Sequence, residues 1–166
     1  MLLDIGTLTA RSVIGLAFAS HGAQKAFGWF DGPGPEGAGQ FMDGLGFKPG
    51  KRYAILSAYT EMTGGVLLAL GLGGAVGPAM ISSVMLVAMA TVHAKNGFYA
   101  QKGGIELGVL YAASTIALAF TGPGRYSLDS ALDIDVLHDE RVVALTVLGG
   151  LAGGAIALRQ RVAAQE

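Results

Sequence analysis

Long stretches of this chain carry almost no charge, and that feature constrains its solvent before anything else. Leu3–Ala26, Tyr53–Leu72, Val76–Ala94, Ile105–Phe120 and Val142–Leu158 are apolar blocks interrupted only by isolated ionisable residues. A hydrocarbon core of about 30 Å needs roughly 20 residues of helix, so four or five of these blocks are long enough to span. Charged residues make up 14% of the chain, against about 25% in an ordinary soluble domain. With a mean hydropathy of +0.52, the chain cannot coat a water-facing surface of its size. The expected fold is all-α: a polytopic transmembrane helix bundle with a four-helix core and a fifth, C-terminal span.

Other composition classes close quickly. Most of the 27 glycines lie inside apolar blocks, where they let membrane helices approach closely. A net charge of −1 offers no basic field, so no nucleic-acid partner is expected. There is no cysteine, which excludes thiolate metal sites and thiol or persulfide chemistry on this chain. Ala17-Phe18-Ala19 has the small-residue form of a signal cleavage site, but Asp4 in the n-region and a short h-region argue against one.

Between the blocks, Asp31–Gly39 is dense in Pro and Gly and reads as a loop. Gln40–Phe47 reads as a short interfacial helix, and Gly71–Gly74 with Pro78 as a tight turn. Asp129–Glu140 is an acidic surface segment with Asp133, Asp135, Asp139 and Glu140, and His138 in it reads as an ordinary surface residue. Lys25, Lys48, Lys51, Arg52, Lys95, Lys102, Arg159 and Arg161 fall on one side of a five-span topology. Only Arg125 and Arg141 fall on the other, with Arg11 embedded near it. The asymmetry places the N-terminus outside and the C-terminus in the cytoplasm.

A polar group in hydrocarbon is costly and asks for a reason. His21 and Lys25 are one turn apart, Glu61 lies about two turns into its helix from the inner side, His93 ends the third block and Glu106 opens the fourth. Two imidazoles, two carboxylates and an amine thus come from four helices at similar depth. They could bind a quinone head group or pass protons. They could equally be interhelical glue, with Glu61 pairing Lys25 or His21 and Glu106 capping its own helix. No ligand spacing supports a metal site. Arg11 and Asp129 are both assigned to the outer end and would form a structural ion pair, with Arg125 beside them. Met85, Met89 and His93 recur at i+4, which suits packing. Gly149-x-x-x-Gly153 and Gly150-x-x-x-Gly154 form a docking face, inside the bundle or for a partner helix.

Taken as a set, these residues resemble the DoxX family of membrane proteins. The resemblance rests on Arg11 with Gly15, His21-Gly22 followed by Lys25 and Gly28, Gly44-x-Gly46, Glu61-x-x-Gly64-Gly65 and Gly71. It continues through His93 with Asn96-Gly97-Phe98, Glu106, and Gly122-Pro123-Gly124-Arg125-x-Ser127-Leu128-Asp129. It runs from about Thr7 to Leu132, dividing the chain into a four-helix domain (1–132) and an acidic loop with an additional helix (133–166). Members are typically four-helix proteins, and the fifth span departs from that.

The resemblance implies a membrane subunit of a quinone-linked oxidoreductase in a prokaryotic inner membrane. Some members resemble a thiosulfate:quinone oxidoreductase subunit, and others are linked to oxidative-stress metabolism. The resemblance marks Arg11, His21, Lys25, Glu61, His93, Glu106, Arg125 and Asp129 without giving their roles; no covalent cofactor is expected, only a bound quinone, and the inner cluster itself suggests His21 and Lys25 as donors and Glu61 as proton acceptor. The lipid bilayer, a protein complex or a homo-oligomer are the expected partners. A non-catalytic assembly subunit is the alternative, and a small transporter a further one.

Overall fold

The computed structural model describes residues 1–161. Every regular element among them is helical. α1 (Leu2–Phe27) ends on Gly28, whose φ of 72° closes the helix in the left-handed conformation. α2 is Gly34–Gly44, α3 Gly50–Leu70 and α4 Val76–Ala88. α4 continues through a π turn, Met89–His93, and a 3₁₀ turn, Ala94–Asn96. After a folded loop come α5 (Glu106–Thr121), the single turn α6 (Leu128–Ala131) and α7 (Glu140–Arg159). Asp139 caps α7 by accepting from the amides of Arg141 and Val142.

Two elements differ from expectation. The Pro/Gly stretch is not all loop, because α2 starts at Gly34. Pro35 sits in its first turn, where a missing N–H costs nothing. Gly39 faces the Lys51 backbone, and a Cβ on Gly50 would lie within 2.1 Å of the Gly39 carbonyl oxygen, so these glycines let α2 lie directly on α3. The second difference is α5. Among the described residues four helices are long and apolar enough to cross a membrane: Leu2–Phe27, Gly50–Leu70, Val76–Asn96 and Glu140–Arg159. α5 has 16 residues, rising about 24 Å. Gly97–Ile105 folds back before α5 begins, with the amides of Ile105 and Glu106 bonded to the carbonyls of Gly97 and Phe98.

The helices meet through glycine. In α1, a Cβ on Gly15 or Gly22 would lie 2.5 Å from the carbonyl oxygens of Gly65 and Ala58 in α3. Gly64 and Gly77 join α3 to α4 in the same way, while Gly150 and Gly154 seat α7 on Ala79 and Ser83 of α4. Gly149 and Gly153 have nothing near them. The docking face therefore splits, one stripe inside the bundle and one facing out. Phe18, Leu68 and Ile81 form one core cluster, and Ala75, Ala119, Val143 and Val147 another. Ser82 and Thr115, both buried, hydrogen-bond at 2.9 Å between α4 and α5. Val13, Leu16, Leu56, Leu110, Leu145 and Ile156 point outward. An apolar exterior of this kind is stable against lipid and not against water, so this is a membrane protein in contact with the bilayer.

The chain order places the C-terminal ends of α1, α4 and α7 and the N-terminal ends of α3 and α5 at one end of the bundle. Arg161 confirms the closure, donating to the Leu45 carbonyl and stacking over Phe47. The opposite end carries the α3–α4 turn and α6.

Candidate functional site

At the basic end, α1, α3, α4, α5 and the Ala100–Gly104 loop surround a cavity of about 310 Å³. His21, Lys25, Glu61 and His93 line it together, while most of the remaining wall is apolar. Glu61 is 3% exposed. Its Oε1 accepts from Lys25 Nζ at 2.5 Å and from Ser57 Oγ at 3.3 Å. Ser57 lies one helical turn before Glu61 and also accepts from Lys25 Nζ, at 3.5 Å. The second oxygen, Oε2, is buried with no hydrogen-bond partner. An unpaired buried carboxylate oxygen costs about 1–3 kcal/mol or more, so its place beside a cavity is informative.

The histidines have definable tautomers. His93 Nδ1 lies 2.7 Å from the Gly103 carbonyl, which can only accept, so Nδ1 carries a proton. His21 Nδ1 lies 3.2 Å from Gln24 Oε1, whose amide nitrogen is turned to the Phe30 carbonyl. With Nδ1 occupied in both rings, Nε2 is the atom left facing away from these contacts. This differs from the expected donor role of His21 and follows from short-range contacts on its own helix. Lys25 spends two of its three N–H donors on Glu61 and Ser57, which leaves it one. The paired charges leave the cavity formally neutral, and its polar groups mostly accept.

Glu106 does not line the cavity. Its Oε2 accepts from the Ala100 amide at 2.7 Å, tying down the loop that forms the cavity rim. Neither the proton-site reading nor a cap on its own helix describes that geometry, because the folded loop brings a free amide closer. Met85 lines the cavity, whereas Met89 packs on Gly108. The π turn carries His93 to the rim, a local irregularity frequent at functional sites. Sequence reasoning missed Ser57, Phe18 and Tyr111. Ser57 was findable at i−4 from Glu61, but the edge-to-face pair of Phe18 and Tyr111, at 5.4 Å, joins two helices and left no signal along the chain.

At the opposite end, the buried polar side chains are held by backbone groups. Arg11, 2% exposed, does not pair with Asp129. It donates to the carbonyls of Leu68 and Ala69 at the end of α3 and to that of Tyr126. Helix-terminal carbonyls lack intrahelical partners and carry the negative end of the dipole, so they take the guanidinium first. Asp129 is fully buried and accepts from the amides of Gly73 (2.9 Å) and Gly74 (2.7 Å). His138 Nε2 lies 3.3 Å from it, so His138 is not an ordinary surface residue. Arg125 is held through its backbone amide, which donates to Asp4 at 3.2 Å. The side chain of Asp135, assigned to the acidic surface, and residues 162–166 of the C-terminal segment lie outside the described residues. Among the described residues, no His, Asp and Glu cluster of metal-binding size occurs.

The DoxX family profile matches residues 6–94. A Bacillus subtilis (strain 168) protein named "Putative oxidoreductase CatD" is 32% identical over 126 residues, covering 76% of this chain and 86% of the relative. An uncharacterized membrane protein of Mycobacterium tuberculosis is 33% identical over 134 residues, covering 74% of this chain and 78% of that protein. No solved structure matches significantly.

Proposed function

The chain belongs to the DoxX family, and on that premise we propose that it is a quinone-binding membrane subunit of an oxidoreductase complex, with its site in the cavity at the basic end. The observation that carries this reading is the buried, unpartnered Oε2 of Glu61 beside a cavity also lined by His21 and His93. A phosphate head would ask for net positive charge, and the Lys25–Glu61 pair cancels it. A neutral head bearing hydroxyls suits a wall of acceptors. Two imidazole Nε2 atoms and Glu61 Oε2 would take hydrogen bonds from the reduced, dihydroxy form and receive its two protons as its two electrons pass to a redox partner subunit of the complex. The quinone supplies the two-electron chemistry, and this chain orients the head and moves protons. The name of the Bacillus subtilis relative supports an oxidoreductase setting.

The proposed location is a bacterial inner membrane with the N-terminus outside, from the weight of Lys and Arg at one bundle end. The test is titration of the purified protein in lipid nanodiscs with a short-chain quinol. Glu61→Gln keeps an acceptor for Lys25 but weakens the outer acceptor, and is expected to lower affinity about tenfold, or about 1.4 kcal/mol, at unchanged folded yield. Equal binding, or loss of the folded protein itself, would return Glu61 to helix glue. A second reading, a non-catalytic assembly subunit, is favoured by the outward Gly149 and Gly153 stripe. It expects Gly153→Leu to release a co-purifying subunit without changing quinol binding.

A further inference from the structure

The buried carboxylate of Glu61 is bonded unevenly. Both of its hydrogen bonds fall on Oε1, from Lys25 Nζ at 2.5 Å and from Ser57 Oγ at 3.3 Å, while Oε2 has none. A lysine ammonium carries three donors, enough to straddle both oxygens of one carboxylate. A buried oxygen without a partner is costly, so a third group must hold the pair in this lopsided form. Ser57 is placed to do so. Its Oγ donates to Oε1 and accepts from Lys25 Nζ at 3.5 Å, which closes a ring of three hydrogen bonds. Lys25 and Glu61 line the cavity at the basic end, whereas Ser57 stands in the wall of a second cavity of about 270 Å³.

The direction of the Ser57 hydroxyl is informative too. On the membrane helices, the hydroxyls of Ser20, Thr60, Thr91 and Thr146 turn back to a carbonyl three or four residues earlier, the ordinary choice of a helix hydroxyl. Thr60 does so one position before Glu61 on the same helix. Ser57 instead reaches forward to Glu61, four residues later, because a carboxylate is a stronger acceptor than a carbonyl.

From this geometry we propose that Ser57 is the positioning residue of the cavity. It holds Lys25 on Oε1 of Glu61 so that Oε2 stays open, and it thereby sets a preference for a head group that donates hydrogen bonds over one that only accepts them. The inference rests on the quinone reading of the cavity and names the form of the head that the site selects. Without the hydroxyl, Lys25 has two N–H groups unengaged and can place one on Oε2. The ion pair then closes on itself, and the acceptor beside the cavity is lost. A dihydroxy head loses one hydrogen bond. The oxidised, dicarbonyl head has no proton to give to a bare oxygen and loses nothing.

The experiment titrates the full chain in phospholipid nanodiscs, without oxygen, with a short-chain quinol and separately with its oxidised quinone. Ser57→Ala is expected to lower quinol affinity about fivefold, the size of one net hydrogen bond, and to leave quinone affinity unchanged. Alanine is the better helix former, so this variant is expected to fold. Ser57→Thr restores the hydroxyl, has room for its methyl in the second cavity, and is expected to bind both forms as the unaltered chain does. Equal losses for quinol and quinone, an unchanged quinol affinity in Ser57→Ala, or a Ser57→Thr variant as weak as Ser57→Ala overturns the proposal. So does loss of the folded protein in Ser57→Ala, which would make the hydroxyl part of the helix glue. Glu61→Gln in the same titration separates the two readings. If it weakens quinol binding while Ser57→Ala does not, only the role of Ser57 fails. If the chain binds no quinol, or Glu61→Gln binds it equally, the quinone reading fails and this one with it.

Discussion

Glu61 and Arg11 are both buried, and each keeps one polar atom without a partner, Oε2 in the first and Nε in the second. Their surroundings differ. Glu61 stands beside a cavity of ligand size, whereas the space beside Arg11 is about 10 Å³, room for about one water. Arg11 is therefore a staple. Arg11→Ala strips donors from the carbonyls of Leu68, Ala69 and Tyr126 and should cost about 3 kcal/mol. Thermal denaturation in detergent would read this as a lower midpoint, with quinol binding by the folded fraction intact. At Asp129, Asn puts an NH₂ group against the amide of Gly73 or Gly74, and the same assay should show a loss of about 1–3 kcal/mol. His138→Ala removes a partly exposed partner and should cost under about 1 kcal/mol. If the His138 change equals the Asp129 change, the glycine amides are not what holds this turn.

At the scale of elements, α7 tests the reading of its two glycine stripes. A Cβ on Gly150 would lie 2.6 Å from the Ala79 carbonyl oxygen, so Gly150→Leu should overpack the α4–α7 contact at a cost of about 1–3 kcal/mol. Gly153→Leu meets open space and should leave the melting midpoint unchanged. The Ala100–Gly104 loop carries the other test. Glu106→Gln retains an acceptor for the Ala100 amide and should bind quinol normally. Glu106→Ala frees the rim and should weaken binding about fivefold, or about 1 kcal/mol. A loss of binding with Glu106→Gln would make that carboxylate part of the proton path and not of the loop. How far these elements were legible varied. The long helices follow from apolar run length. α2 was read six residues too late, because proline and glycine also serve a helix whose first turn and contact face need them.

For the whole molecule, orientation is the property most open to a decisive test. The chain has no cysteine, so single cysteines can be placed without background. In intact cells, Arg141→Cys should react with a membrane-impermeant maleimide and Lys95→Cys should not. The reverse pattern would invert the bundle and put the proposed quinone site on the other side of the membrane. The shortness of α5 belongs to this scale too. Irregular backbone at membrane depth is tolerated where it is covered by protein or lines a cavity, and the Ala100–Gly104 loop lines one.

By itself, the sequence determined that lipid is the solvent, that the elements are helices, which bundle end is basic and to which family the chain belongs. These depend on composition and on distances counted along the chain. Depth can be counted that way as well, and it puts His21, Lys25, Glu61, His93 and Glu106 at a common level. Only the tertiary structure decided where each side chain points around its helix axis. That angle is set by which glycines meet across helices, Gly15 and Gly22 on α3, Gly64 on Gly77, Gly150 on Ala79. It turns Glu61 to a cavity and leaves Glu106 outside, and it hands Arg11 to helix-end carbonyls and Asp129 to glycine amides. Partner choice between buried polar groups is a contest among every donor and acceptor within reach, and reach exists only once the backbones have packed.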